Sequence, residues 1–177
     1  MDNLEQRIRR TEDIQAIVRL KSIYCNTVDR GFAREKRAGE AIEDIFIADG
    51  IWDAGAARSG KGWAGIKAAL KSPEELPFGL HLVLNPVIDV DGNTATGQWH
   101  LLMMMTLPDG APYWATAIYN DEFVRTPQGW RFKSIRITPI LAVPHTQGWG
   151  LPGALAQIAF PPPPASSRAQ KSNVRKK

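Results

Sequence analysis

The sequence predicts an α+β fold, with helices first and a mostly antiparallel sheet after them. Three observations carry that expectation. Apolar residues recur at helical spacing from Ile14 to Val28. From Pro77 onward the pattern changes to four long segments of alternating polarity. Those segments are joined by Asp91-Gly92-Asn93, Pro108-Asp109-Gly110 and Pro127-Gln128-Gly129, all good hairpin connections.

Residues 3–29 read as the first helix. Its start is placed at Thr11-x-x-Ile14, with Glu12 and Asp13 in the first turn, where they complement the helix dipole. Ile14, Ile17, Val18, Lys21, Tyr24, Cys25 and Val28 recur at helical spacing, and Tyr24 and Val28 fall on the core-facing stripe. Asp29 ends the pattern and Gly31 closes it. A shorter helix is expected over 38–46, AGEAIEDIF. IADGIWDAG reads as a strand with Trp52 and Asp53 on opposite faces, and GKGWAGIKAALKS as a turn and a short helix.

The four β segments are expected at 79–91, 94–107, 112–125 and 130–140. Strict alternation gives each two faces. His81, Val83 and Asn85 share one side of the first. Trp99, Leu101, Met103 and Met105 share one side of the second, with His100, Leu102 and Met104 on the other. Both sides of that strand are apolar, so one is expected to face a pocket and the other a partner subunit. In the last strand Trp130, Phe132, Ser134 and Arg136 point one way, and Arg131 and Lys133 the other. An arginine ending an apolar face is either a salt-bridged structural residue or a substrate clamp.

Residues 1–150 are therefore read as one domain. Residues 151–177 form a C-terminal segment: a possible short helix over 152–159 that would cap the sheet, a stiff proline run at FPPPPASS, and a basic tail. The tail explains the net charge of +4. ASSRAQKSNVRKK holds five Lys/Arg and no acid, and the remainder, with 17 basic and 18 acidic residues, carries −1. Basicity at one end argues against a nucleic-acid-binding face. A hydrophobic fraction of 44% and a charged fraction of 23% are ordinary for a soluble globular protein. No run is long enough to span a membrane, and the charged N-terminus lacks an apolar signal core, so the cytoplasm is the expected location.

Some chemistries find no support in the motifs. There is no GxxxxGK[ST], no HExxH and no GxSxG. His100 and His145 lack metal-ligand spacing with His81. The single Cys25 cannot form an intramolecular disulfide, and within its apolar helix pattern it reads as a buried small hydrophobe. No cofactor and no metal are expected. What remains is Asp29 at the end of a helix and His81 on an apolar strand. A carboxylate that orients an imidazole and stabilises its charge makes a general base. Separately, each residue is as readily a surface acid and a satisfied strand histidine.

The order of four pieces is informative: EDIQAIVRLKSIYCNTVDRG, IFIADGIWDAG, HLVLNPVIDVDGNTATGQWHL and AIYNDEFVRTPQGWRFKSIRI. Together, over about residues 8–140, they resemble the SnoaL-like branch of the nuclear transport factor 2-like superfamily. The resemblance implies a cone-shaped α+β barrel, with N-terminal helices packed on a curved, mostly antiparallel sheet. Within that branch the motifs are most similar to cofactor-free lyases: hexachlorocyclohexane dehydrochlorinase, scytalone dehydratase and bile-acid 7α-dehydratase. Relatives that release formaldehyde from lignin-derived diaryl compounds share the same motifs.

By that resemblance Asp29 and His81 match a catalytic dyad, Tyr24 a helix tyrosine of the bile-acid enzyme, and Arg136 an arginine of the last strand. HLLMMM lacks the acid that the bile-acid enzyme carries on its next strand. His100 only approximately matches the second histidine of scytalone dehydratase. The implied function is elimination of water, halide or formaldehyde from a small hydrophobic cyclic or aromatic compound. His81, Asp29 and Tyr24 would be catalytic. Arg136, Trp52, Asn85, His100, Met103, Tyr119 and Phe132 would meet the substrate, with Val83 and Trp114 as further walls. For any one of these apolar residues, plain core packing is the commoner role. A polyketide-type cyclase or isomerase would use the same dyad, and a non-catalytic ligand-binding or assembly protein would keep the fold without it. A homodimer or homotrimer is implied by the family and by the two apolar faces of the second strand.

Overall fold

Asn3 opens the first helix, α1 (Leu4–Val28), in a computed structural model that describes residues 3–29, 42–55, 58–70 and 75–147. The Asn3 side chain accepts from the Gln6 backbone N–H, and the Gln6 side chain accepts from the Asn3 N–H, each at 2.9 Å. This reciprocal cap starts the helix well before Thr11. Asp13 is therefore an interior residue and not a first-turn acid. It is buried, accepting 2.6 Å from Arg125 Nη2 and 3.0 Å from Trp130 Nε1. The arginine beside it holds its carboxyl below the ordinary carboxylate range.

Two short helices, α2 (Ile42–Ile45) and α3 (Gly62–Ala69), accompany strands β1 (Phe46–Asp53) and β2 (Ser59–Lys61). The long strands are β3 (Phe78–Asp91), β4 (Thr94–Thr106), β5 (Pro112–Thr126) and β6 (Gly129–Pro144). They form one six-stranded sheet in the order β2-β1-β6-β5-β4-β3. Every neighbouring pair is antiparallel except β1 and β6. The sheet is curved and open, with the N-terminal helices packed on it. The expected second helix over 38–46 is described only from Ile42, and the proposed helix at 152–159, the proline run and the basic tail lie outside the described residues.

Curvature has a local cause in the register. Between Leu84 and Val87, β3 advances three residues while β4 advances two, from His100 to Gln98. β6 carries an extra residue opposite Glu122–Phe123, at Lys133, and another opposite Thr116–Ala117, at Ile140. Each bulge bends its strand and reverses the facing of every later side chain.

The core lies between α1 and the concave face. Ile17, Leu20, Tyr24, Cys25 and Val28 of α1 pack with Trp99, Tyr119, Phe123, Phe132 and Ile135 of the sheet. Rings of Phe123 and Phe132 stand 4.8 Å apart, and Tyr24 meets Phe132 edge-on at 5.7 Å. Gly97 is required by close approach, because a Cβ there would sit 2.3 Å from the Trp99 ring.

Candidate active site

Helix α1 ends where the cavity begins. Asp29 is its C-cap, with its N–H donating 2.9 Å to the Cys25 carbonyl. Its extended backbone (φ −64°, ψ 147°) turns the chain out of the helix. Oδ1 of Asp29 accepts two hydrogen bonds from one residue: the backbone N–H of His81 at 2.8 Å and His81 Nδ1 at 2.8 Å. This double contact ties the end of α1 to the start of β3 and sets the imidazole's orientation. With Nδ1 engaged, Nε2 is the ring atom available to a ligand. Both side chains are about nine-tenths buried.

His81 lines a cavity of about 520 Å³ enclosed by α1, β1 and the four long strands. That volume suits a small organic ligand. Its walls are mostly apolar: Val28, Leu101, Met103, Met105, Ile137 and Leu141 among them. Gly79 keeps the wall open, since a Cβ there would come within 3.0 Å of Met103 Cε and closer still to Leu76.

Tyr24 and Tyr119 also line this space. The Tyr24 hydroxyl accepts from Trp52 Nε1 at 2.7 Å and is hydrogen-bonded to Tyr119. Burial pushes both phenols well above their ordinary range, so both remain neutral hydrogen-bonding groups. An oxygen fixed as an acceptor by Trp52 retains its own proton for donation to a ligand. Cys25, behind them, is buried, and burial pushes its thiol up to about 12.

The structure thus gathers Tyr24, Trp52, His81, Met103 and Tyr119 around one cavity, with Asp29 behind His81. It places the other expected ligand contacts elsewhere. Asn85 sits in the β3 bulge with φ 53°, a left-handed conformation that asparagine tolerates, and is exposed. The bulge breaks the alternation that grouped it with His81 and Val83. Arg136 is corrected for the same reason. The extra residue at Lys133 turns Ile135 and Ile137 inward and Arg136 outward, its side chain 51% exposed and 3.7 Å from Glu122. His100 is exposed on the convex face, and Trp114 is there too, donating 3.1 Å to His145 Nδ1. Phe132 is fully buried and Val83 packs on the core, so both support the cavity without lining it.

Beneath the phenols lies a charge pair that the sequence reading missed. Lys21 Nζ contacts Asp121 Oδ2 at 2.7 Å, and both side chains are wholly buried. The ammonium also lies 3.3 Å from the centroid of the Tyr119 ring, a close cation–π contact. Burial lowers the Lys21 pKa and raises that of Asp121 to about 6, each opposed by the partner's charge. The signal was present: Lys21 falls on the apolar stripe of α1, and Asp121 alternates with Tyr119 and Phe123 on a buried strand face. Two opposite charges on two buried faces predict a pair. Arg58 and Glu75, which also line the cavity, were missed as well. They come from connecting segments, where no periodicity marks them.

The chain belongs to the SnoaL-like domain family, which matches residues 9–136. Solved structures agree on the nuclear transport factor 2-like fold. A hexachlorocyclohexane dehydrochlorinase (LinA) type 2 is 22% identical, with a TM-score of 0.62 over 90% of this chain and 97% of its own. An NTF2-like protein with a cystatin-like fold from Novosphingobium aromaticivorans is 22% identical, with a TM-score of 0.64 over 90% and 99%. A nuclear transport factor 2-like superfamily protein from Salmonella enterica serovar Typhimurium is 17% identical, with a TM-score of 0.64 over 80% and 97%. No curated protein matches the chain.

Proposed function

We propose that this protein is a cofactor-independent lyase, eliminating water, halide or formaldehyde from a small hydrophobic cyclic or aromatic compound. The observation that carries the reading is the 2.8 Å contact between His81 Nδ1 and Asp29 Oδ1 at the wall of an apolar cavity. For loss of water or halide, His81 Nε2 takes the proton from the carbon next to the one bearing the leaving group, and the C–H electron pair becomes the new double bond as that group departs. For loss of formaldehyde it takes the proton of a hydroxymethyl O–H, the C=O of formaldehyde forms and the C–C bond breaks, its electron pair passing to the conjugated ring system. Asp29 holds Nδ1–H and stabilises the positive charge that develops on the ring. The negative end of the α1 dipole, at the same place, acts in the same sense. Tyr24 donates to the leaving oxygen or halide. One positioned acid–base group is worth about 10²–10⁴-fold, and orientation of the substrate in the apolar cavity adds to it. The dehydrochlorinase in the same structural group supports elimination as the reaction type.

A mass-spectrometric screen of hydrophobic ring compounds for loss of water, halide or formaldehyde tests this. Turnover is expected from the wild type and should fall by about 10²–10⁴-fold in His81→Ala. Equal turnover in the two proteins rejects His81 as the base.

The proposed assembly is a homodimer or homotrimer through the convex face. Leu82, Leu84 and Val87 are 39%, 48% and 61% exposed on β3, an apolar strip suited to a second copy. Light scattering should give a multiple of 19.6 kDa, and a monomer at every micromolar concentration refutes it.

A further inference from the structure

Building on the reading of this cavity as a substrate site, we propose that Arg58 is its anion-recognition residue. The compound bound would then carry a carboxylate on its hydrophobic frame. Arg58 is the one Lys or Arg among the described residues that line the cavity. Its position is well determined by the chain: the Arg58 carbonyl accepts 2.8 Å from the Ala54 N–H, and its own N–H donates 3.3 Å to the Gly55 carbonyl. These two backbone hydrogen bonds fix Arg58 just ahead of β2, and the residue lines the cavity.

The guanidinium is half-engaged. Nη2 pairs with Oε1 of Glu75, which also lines the cavity and is itself partly exposed. Nη1 is buried and has no hydrogen-bond partner among the described residues. A planar guanidinium presents its donors as a fork matched to the two oxygens of a carboxylate. Here one prong is taken by a carboxylate of the chain and the other has no partner among the described residues.

A hydrocarbon or halocarbon ligand would leave that buried N–H unpaired, which is unfavourable. A ligand carboxylate would pair it, either beside Glu75 or in exchange for it. Arg136, the cation that alternation had aimed at the site, is turned away from it, so the positive charge of this cavity is carried by the β1–β2 turn.

Two isosteric probes separate charge recognition from burial: biphenyl-4-carboxylate and biphenyl-4-carboxamide. Their affinities are measured by calorimetry on the full chain, and their place of binding by shifts of the His81 ring resonances. The wild type should bind the carboxylate at least about tenfold tighter than the amide, as expected for a charge-assisted hydrogen bond. In Arg58→Gln the ratio should fall to near one, with amide affinity held within about twofold. Arg58→Lys should retain part of the preference, because the charge stays and the fork is lost. The proposal is overturned if Arg58→Gln keeps the tenfold ratio. It is equally overturned if the wild type shows no carboxylate preference while both probes shift His81; the substrate-site reading survives that result. If neither probe binds, the substrate-site reading fails and the proposal fails with it.

Discussion

At the scale of single residues, one oxygen of Asp29 does two tasks. It accepts the backbone N–H and the ring Nδ1 of His81, each at 2.8 Å. The neutral imidazole bonded in this way carries its proton on Nδ1 and leaves the Nε2 lone pair for the substrate. Nitrogen-15 correlation spectra of the His81 ring should show that tautomer. In Asp29→Asn the amide group can donate to Nδ1 and move the ring proton to Nε2, and turnover should fall by about 10²–10⁴-fold even where the fold persists. Retention of the Nδ1–H tautomer together with full turnover in that variant contradicts the assignment. Tyr24 is similarly held by a neighbour, its hydroxyl accepting from Trp52 Nε1 at 2.7 Å.

At the scale of elements, bulges decide which side chains reach the cavity. The β3 bulge depends on Asn85 at φ 53°. A left-handed conformation costs most residues about 1–2 kcal/mol, and asparagine and glycine less. Asn85→Ala should therefore lower unfolding stability by about 1 kcal/mol, with Asn85→Gly close to neutral, as measured by denaturant titration. Equal stabilities in the three proteins would mean that the bulge relaxes. The extra residue at Lys133 has the larger functional consequence. It exchanges Arg136 for Ile137 on the cavity wall and lets Ile135 join the core.

At the scale of the whole molecule, the buried Lys21–Asp121 pair joins α1 to the centre of the sheet. Breaking such a pair leaves one buried charge uncompensated and costs about 3–5 kcal/mol, whereas replacing both partners with apolar groups of similar size is often neutral. Lys21→Met alone should thus be strongly destabilising, and Lys21→Met with Asp121→Leu close to wild type in denaturant titrations. The pair also predicts a pH dependence. The Asp121 pKa is raised from 3.8 to about 6, so the folded state binds this proton more readily than the unfolded state. Its stabilising contribution is fully present below about pH 4 and is lost as pH rises through about 6, with a slope of at most about 1.4 kcal/mol per pH unit for one proton. The double variant should lack this component between pH 4 and 6. A difference curve that is flat, or that rises with pH, would count against the burial that causes the shift.

The sequence by itself determined the order of elements, the three hairpin turns and the residue types available for acid–base chemistry. These follow from local periodicity and turn chemistry, which the chain carries without reference to distant partners. It also placed Tyr24 and Trp52 on faces that turned out to meet, because helical and strand alternation hold over short unbroken stretches. Only the tertiary structure decided the rest. Alternation assumes a constant register, and single extra residues in β3 and β6 turned Asn85 and Arg136 away from the cavity. Arg58 reaches the cavity from a turn and Glu75 from a connecting segment, where sequence position carries no facing at all. Lys21 and Asp121 stand 100 residues apart, and their pairing depends on how α1 packs across the sheet. Facing can be read along a strand for as long as its hydrogen-bond ladder is regular; contact across the molecule is set by packing, which satisfies buried charges wherever the fold brings them together.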